Sequence, residues 1–172
     1  SIALYKAKTT DAIEYYSTSK KTVMNGITYK KGFSQYRNLG EASKKGVEVE
    51  FKHKFTPYVS SYVNWAWESE TINGERNYYI PKHLLHFGVE YDKERWNILA
   101  DAQYVSARQY PDDETGKYKS EDLFFITNLS ANYRITPEAS VQVSVYNLFD
   151  REFFASEAAS GRTYDVSFRY RF

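Results

Sequence analysis

The chain contains no cysteine, one methionine, four prolines and eight glycines in 172 residues. Without thiols there is no disulfide scaffold, no Cys-x-x-Cys redox pair and no thiolate metal site. No apolar run approaches the roughly 18 residues that a membrane-crossing helix needs, and the mean hydropathy is −0.66. Charge of one sign is also missing, since 23 Lys+Arg face 22 Asp+Glu. That balance, with no recurring Lys/Arg stripe on one element, argues against nucleic-acid binding. Disorder is excluded by what the chain has in abundance, namely 17 Tyr, 11 Phe and 3 Trp. Ser1 opens straight into Ile2-Ala3-Leu4-Tyr5 with no basic segment, apolar leader or lipidation box, which reads as a mature or truncated start.

Period two dominates the rest. At the end of the chain Tyr164, Val166, Phe168, Tyr170 and Phe172 alternate with Thr163, Asp165, Ser167, Arg169 and Arg171 without an error. Such a run is a strand between two different solvents. Further strands are predicted from Val141, Val143 and Val145 against Gln142, Ser144 and Tyr146, and from Thr127, Leu129, Ala131, Tyr133 and Ile135 against Asn128, Ser130, Asn132 and Arg134. Trp96, Ile98, Ala100, Ala102 and Tyr104 give another, as do Leu85, Phe87, Val89 and Tyr91. Val59, Val63, Trp65 and Trp67 share a face, Val47, Val49, Phe51 and Phe55 share the next, and a first strand of weak phase runs over about residues 2–16.

These eight strands are joined alternately by short turns at Thr56-Pro57, Asp92-Lys93-Glu94 and Thr136-Pro137-Glu138, and by long polar loops at 18–34, 69–82, 111–122 and 150–162. An even number of antiparallel strands with short turns at one end and long loops at the other is the pattern of an outer-membrane up-and-down β-barrel. A strand of about ten residues at ~3.3 Å rise and ~45° tilt covers roughly 23 Å, close to the ~25 Å apolar band of such barrels. Tyr58, Trp67, Tyr91, Trp96, Tyr104, Tyr133 and Tyr170 fall toward strand ends, where aromatic girdles belong; good strand propensity is the plainer explanation. A lipocalin-like soluble barrel would show the same alternation with its polar side outward, but the loop asymmetry and a polar face carrying Glu48, Glu50, Lys52, Lys54, Asp101, Arg134, Arg169 and Arg171, which could pair across a wet lumen, argue against it.

Tyr36-Arg37-Asn38-Leu39-Gly40-Glu41-Ala42 followed by Lys45-Gly46-Val47-Glu48-Val49-Glu50 resembles a Y-x-N-x-G-x-A…G-V-E-x-E stretch of TonB-dependent outer-membrane receptors. Asn147-Leu148-Phe149-Asp150-Arg151-Glu152-Phe153, then Gly161-Arg162-Thr163-Tyr164 and Arg169-Tyr170-Arg171-Phe172, is similar to the C-terminal box of that family, and Ile80-Pro81-Lys82-His83 to its P-x-H segment. The resemblance implies an outer-membrane receptor that takes up a scarce nutrient, such as a ferric siderophore, haem or cobalamin, using energy delivered through TonB. Barrels of this type have ~22 strands and a plugged lumen. Residues 1–172 are therefore expected to be a single barrel segment, the C-terminal portion of a larger barrel, with plug domain, TonB-contacting region and earlier strands elsewhere. The alternative is a complete eight-stranded barrel of the OmpA or OmpX type with a structural or adhesive role.

Loop 18–34 carries Lys20, Lys21, Lys30 and Lys31 with no acid, beside Tyr29. It could attract an anionic iron chelate or the phosphates of lipopolysaccharide; a solvated loop is the plainer reading. Arg76, Tyr78 and Tyr79 in the second loop and Phe153 and Phe154 in the last are candidates of the same kind. Tyr170 and Phe172 resemble the terminal aromatic signal read by the outer-membrane assembly machinery. His83 and His86 are an odd number apart and so face opposite ways, and His53 is expected to be isolated. The acids of loop 111–122 lack the spacing of a calcium loop. No metal site, cofactor, catalytic residue or enzyme motif is expected: G-x-S-x-G, H-E-x-x-H and a phosphate loop are all missing. The expected partners are outer-membrane lipid and lipopolysaccharide, TonB, and a small-molecule metal chelate, and no nucleic acid.

Overall fold

The computed structural model describes residues 1–172 apart from 19–21, 25, 30–32, 112–117 and 156. It describes no side chain at 14, 16–18, 22, 24, 29, 33, 39, 110, 111, 118, 119, 154, 155, 157 and 158. The described residues form strands and turns and no helix. Eight strands make up the main sheet: β1 (Ile2–Thr18), β2 (Phe33–Lys54), β3 (Val59–Ile72), β4 (His83–Lys93), β5 (Trp96–Val105), β6 (Phe124–Arg134), β7 (Ala139–Tyr146) and β8 (Thr163–Tyr170). Each is bonded to the next in chain order, and β3 to β8 pair antiparallel throughout. Three of the long connections carry small two-stranded ribbons, Thr22–Met24 with Ile27–Tyr29, Arg108–Pro111 with Tyr118–Glu121, and Phe154–Ala155 with Glu157–Ala158. In the fourth, Glu75–Arg76 folds back onto β3.

The chain divides into two compact units. The first comprises Ser1–Tyr5, Gly46–Glu68 and Tyr78–Phe172; the second comprises Lys6–Lys45 and Ser69–Asn77. In the first unit the register turns the alternation of single strands into continuous rows. One row runs Ser61, Val89, Ala100, Leu129, Val145, Tyr164, and its neighbour runs Val59, Tyr91, Ile98, Ala131, Val143, Val166. This apolar side is open: Val166 is 70% exposed, Phe168 66% and Leu4 77%. A lipocalin-like packing would bury it. Ala102 is buried because the Phe87 and Phe125 rings, 6.2 Å apart between centroids, flank it from the strands on either side.

The short turns reuse one device. The Thr56 hydroxyl accepts hydrogen bonds from the backbone of Tyr58 (3.1 Å) and Val59 (3.0 Å), and the Thr136 hydroxyl does the same for Glu138 (3.2 Å) and Ala139 (3.0 Å). Proline follows each threonine at a position where no N–H is needed. The turn after β4 is tighter and places Glu94 in the left-handed region (φ 51°).

In the second unit β2 begins at Phe33, close to the predicted end of loop 18–34, although its alternation shows in the sequence only from Val47. Its charged residues hid the period there, and irregular backbone breaks it: Asp11 (φ 57°) and Gly40 (φ 111°) both adopt left-handed conformations. The Asn38 carboxamide joins the two, donating to the Asp11 carboxylate (2.8 Å) and accepting from the Gly40 backbone N–H (2.9 Å). Asn73, at the tip of the β3 hairpin, accepts from the Glu41 N–H (3.0 Å) and donates its own backbone N–H to the Glu41 carbonyl (2.7 Å). A Cβ at Gly40 would collide with the Asn73 carboxamide. The Y-x-N-x-G-x-A stretch is thus a backbone latch.

Candidate functional site

On the side opposite the apolar rows, polar groups link one strand to the next. The Tyr62 hydroxyl lies 3.3 Å from His86 Nε2, which lies 3.4 Å from Asp101 Oδ2. Asp101 also accepts from Asn128 Nδ2 (3.0 Å), and Asn128 Oδ1 accepts from the backbone N–H of Asn147 (3.1 Å). One chain of contacts therefore crosses β3, β4, β5 and β6 and ends beyond β7. Parallel to it, Asn97 donates to Glu90 (2.6 Å), Arg134 pairs with Asp92 (2.7 Å), and Gln142 donates to Ser144, which is only 1% exposed. Nearer the start of the sheet, Tyr5 crosses Gly46 and donates to Glu68 (2.8 Å), and Lys52 pairs with Glu50 (2.8 Å). Beside this ladder lies a hollow of about 370 Å³ whose lining mixes Glu48, Asn64 and His86 with Trp65, Leu84 and Leu85. Such a face suits water and polar solutes, because its donors and acceptors are held in place by one another.

The histidines separate as the odd spacing requires. His86 joins the polar ladder, while His83 stacks on Trp65 on the other side (centroids 5.9 Å, 19°). The His53 ring lies between Phe51 (6.1 Å) and Phe55 (4.6 Å) as part of an aromatic cluster on the apolar side, with neither of the other histidines in that cluster. No group of three or more His, Cys, Asp or Glu that could hold a metal occurs among the described residues. At the short-turn end the Tyr133 hydroxyl accepts from Arg95 (3.4 Å), a bond that raises the guanidinium pKa above its ordinary value, and Lys93 sits 5.0 Å over the Tyr58 ring. Trp96 packs on Tyr133 with centroids 4.7 Å apart.

Of the loop residues predicted to meet a ligand, Lys20, Lys21, Lys30 and Lys31 lie outside the described residues. Tyr29 and Phe154 are placed by their backbones in the first and last ribbons. Arg76 lies in the short strand paired to β3, the Tyr78 carbonyl accepts from Gln109 (2.9 Å), and Tyr79 is exposed. Phe153 stacks on Phe124 (4.4 Å, 26°), so its ring helps anchor the last loop. Glu121 pairs with Arg108 (2.8 Å) across the ribbon of the third loop.

Sequence reasoning found the Asn-Leu-Phe-Asp motif without its role. Asn147, left-handed (φ 53°), grips the backbone of Arg151 from both sides, its Nδ2 donating to the carbonyl and its Oδ1 accepting from the N–H, each at 2.9 Å. Leu148 donates its N–H to the Thr127 carbonyl (2.8 Å). Asp150 Oδ1 accepts from the Arg162 N–H (2.7 Å), and its carboxylate lies 3.7 Å from the guanidinium. Both ends of the last loop are therefore tied down.

A family model described as TonB dependent receptor-like, beta-barrel, matches residues 1–148. The chain is 27% identical over 183 residues to the ferric-pyoverdine 358 receptor of Pseudomonas putida, covering 99% of this chain and 22% of the relative. It is 27% identical over 129 residues to the vitamin B12 transporter BtuB of Vibrio vulnificus, covering 74% and 20%. Among solved structures, one described as the copper transporter OprC superposes with a TM-score of 0.79 at 18% identity, covering 99% of this chain and 28% of that one. The chain spans about a fifth of the length of these curated relatives.

Proposed function

Since the chain belongs to the TonB-dependent receptor β-barrel family, whose members are outer-membrane proteins of Gram-negative bacteria, we propose that it forms the C-terminal part of the barrel of an active-transport receptor for a ferric siderophore, energised through TonB. One observation carries the reading: the apolar rows are exposed on one side of the sheet, and a satisfied polar ladder occupies the other. Lipid offers the backbone no hydrogen bonds, so such a sheet spans a bilayer only as part of a closed wall with its polar side toward a wet lumen. Relatives named for ferric-pyoverdine, for catecholate siderophores and for metal-pseudopaline support a metal chelate as the cargo.

Under this reading the whole receptor also holds a plug domain and a TonB-contacting region. Outer-membrane lipid and lipopolysaccharide surround the wall, and the work done is transport, with neither catalysis nor nucleic-acid binding. Lys20, Lys21, Lys30 and Lys31 with Tyr29 supply an electropositive aromatic loop to draw in an anionic chelate; Arg76, Tyr78, Tyr79, Phe153 and Phe154 supply further contacts. The test is uptake of radiolabelled ferric siderophores by cells carrying the full-length receptor, with and without TonB. TonB-dependent uptake of at least one chelate is expected, weakened when the four lysines become glutamine. TonB-independent behaviour, or uptake of none of a siderophore panel, would refute the proposal.

A further inference from the structure

The turn joining β4 to β5 carries Lys93, Glu94 and Arg95 in succession. Among the described residues none of the three forms an ion pair. The acids just before them are engaged on the polar side, Asp92 by Arg134 (2.7 Å) and Glu90 by Asn97 (2.6 Å). This hairpin lies inside the sheet, with β3 bonded on one side of it and β6 on the other, so no strand added at either edge reaches these groups.

The register puts Lys93, Trp96 and Tyr133 in one row on the apolar side. Lys93 lies over the Tyr58 ring on one flank of Trp96 (5.0 Å), and Arg95 donates to the Tyr133 hydroxyl on the other (3.4 Å). The two ends of that row stand about 10 Å apart, within reach of two long cationic side chains. Glu94 is exposed at the tip of the turn, beyond the row. Toward the middle of the sheet a furrow follows β5. Ala100 is flanked by Val89 (49% exposed) and Leu129 (38%), and the Phe87 and Phe125 rings close over Ala102. From Trp96 to Ala102 the strand descends about 14 Å at ~3.3 Å rise and ~45° tilt, close to the roughly 13–15 Å of one leaflet.

From this geometry we propose that the β4–β5 hairpin holds one phospholipid with an amine headgroup, of the phosphatidylethanolamine class. Its phosphate lies between Lys93 and Arg95, its ammonium meets Glu94, and an acyl chain follows the furrow at Ala100. The charges come in the order that such a lipid presents them, phosphate nearer the chains and ammonium farther out. Both cations give the phosphate charge-assisted bonds, and the interfacial rings fix its depth. A headgroup without an amine would leave Glu94 facing a phosphate with nothing between them. This inference rests on the apolar side meeting lipid, as in the proposed function, and holds whichever nutrient is carried.

The test is a photo-cross-link in the full-length receptor, folded into vesicles of equal phosphatidylethanolamine and phosphatidylglycerol with matched acyl chains, with p-benzoylphenylalanine in place of Ile135. Ile135 is exposed two residues beyond Tyr133 and borders the turn, since the Arg134 N–H bonds to the Arg95 carbonyl (2.8 Å). Mass spectrometry of the adducts should show the ethanolamine lipid in about fivefold excess. Glu94→Gln should bring that ratio to about one, and Lys93→Gln plus Arg95→Gln should bring it below about two. Lys82→Gln, just before the opposite end of β4, should leave it unchanged. Folding is checked by the heat-dependent electrophoretic shift of a barrel; if the double variant fails it, Lys93→Gln alone replaces it. A ratio of one or less in the unmodified receptor, a ratio indifferent to Glu94→Gln or to loss of the cations, an equal fall with Lys82→Gln, or no lipid adduct would each overturn the proposal. Siderophore uptake by the unmodified receptor is read separately, so loss of one result leaves the other standing.

Discussion

The ring of Tyr62 on β3 covers Gly88, its register partner on β4, so closely that a Cβ on Gly88 would stand 2.7 Å from the ring. The glycine is there to let the ring lie flat and bring its hydroxyl to His86. Gly88→Val should therefore destabilise the folded protein by about 1–3 kcal/mol despite the better strand propensity of valine. Tyr62→Ala should relieve most of that penalty in the double variant. Urea unfolding of the four proteins in lipid vesicles gives the comparison; additive effects would contradict the pairing.

The two faces of β8 should respond oppositely to the same change. Val166→Arg places a charge on the lipid side and should cost about 2–4 kcal/mol near the bilayer centre, whereas Ser167→Arg, one residue on, should cost less than about 1 kcal/mol. Folding yield into vesicles measures both. Equal penalties would mean that the faces have been assigned to the wrong solvents.

Asn147→Ala removes both contacts with the Arg151 backbone and leaves a left-handed residue without its compensating bonds. A loss of about 1–3 kcal/mol is expected. It should appear as faster protease nicking between residues 150 and 162 with the strands intact. Unchanged nicking would show that the loop is held by other means.

Phe172 is fully exposed and stacks edge-on against Tyr170 (5.6 Å). If this pair is read during assembly, Phe172→Ser should lower the amount of folded receptor in the outer membrane severalfold while leaving unfolding of the assembled fraction nearly unchanged. Normal assembly of the variant would reduce Phe172 to an ordinary girdle ring.

Where each strand residue met a uniform solvent, the sequence was readable. The rows through Ile98 and Ala131, or Val143 and Val166, follow directly from alternation, and the threonine-proline turns from composition. Tyr5 confused the first strand because an amphipathic ring serves either side; only its bond to Glu68 assigns it to the polar one. Residues 33–46 were not legible as strand, since Asp11 and Gly40 interrupt the period and Asn38 and Asn73 mend it with side chains that no periodicity reports. The ladder from Tyr62 to Asn128 spans four strands, and its members become neighbours only once the register is known.

The double fastening of the last loop, at Asn147 with Arg151 and at Asp150 with Arg162, fixes where its two ends leave and rejoin the wall that carries them. Changes of length or composition between these two fastenings are expected to leave the register of β7 and β8 in place. The segment is accordingly a place to graft an epitope or fluorophore, and one where recognition can drift over evolutionary time without a penalty in barrel assembly.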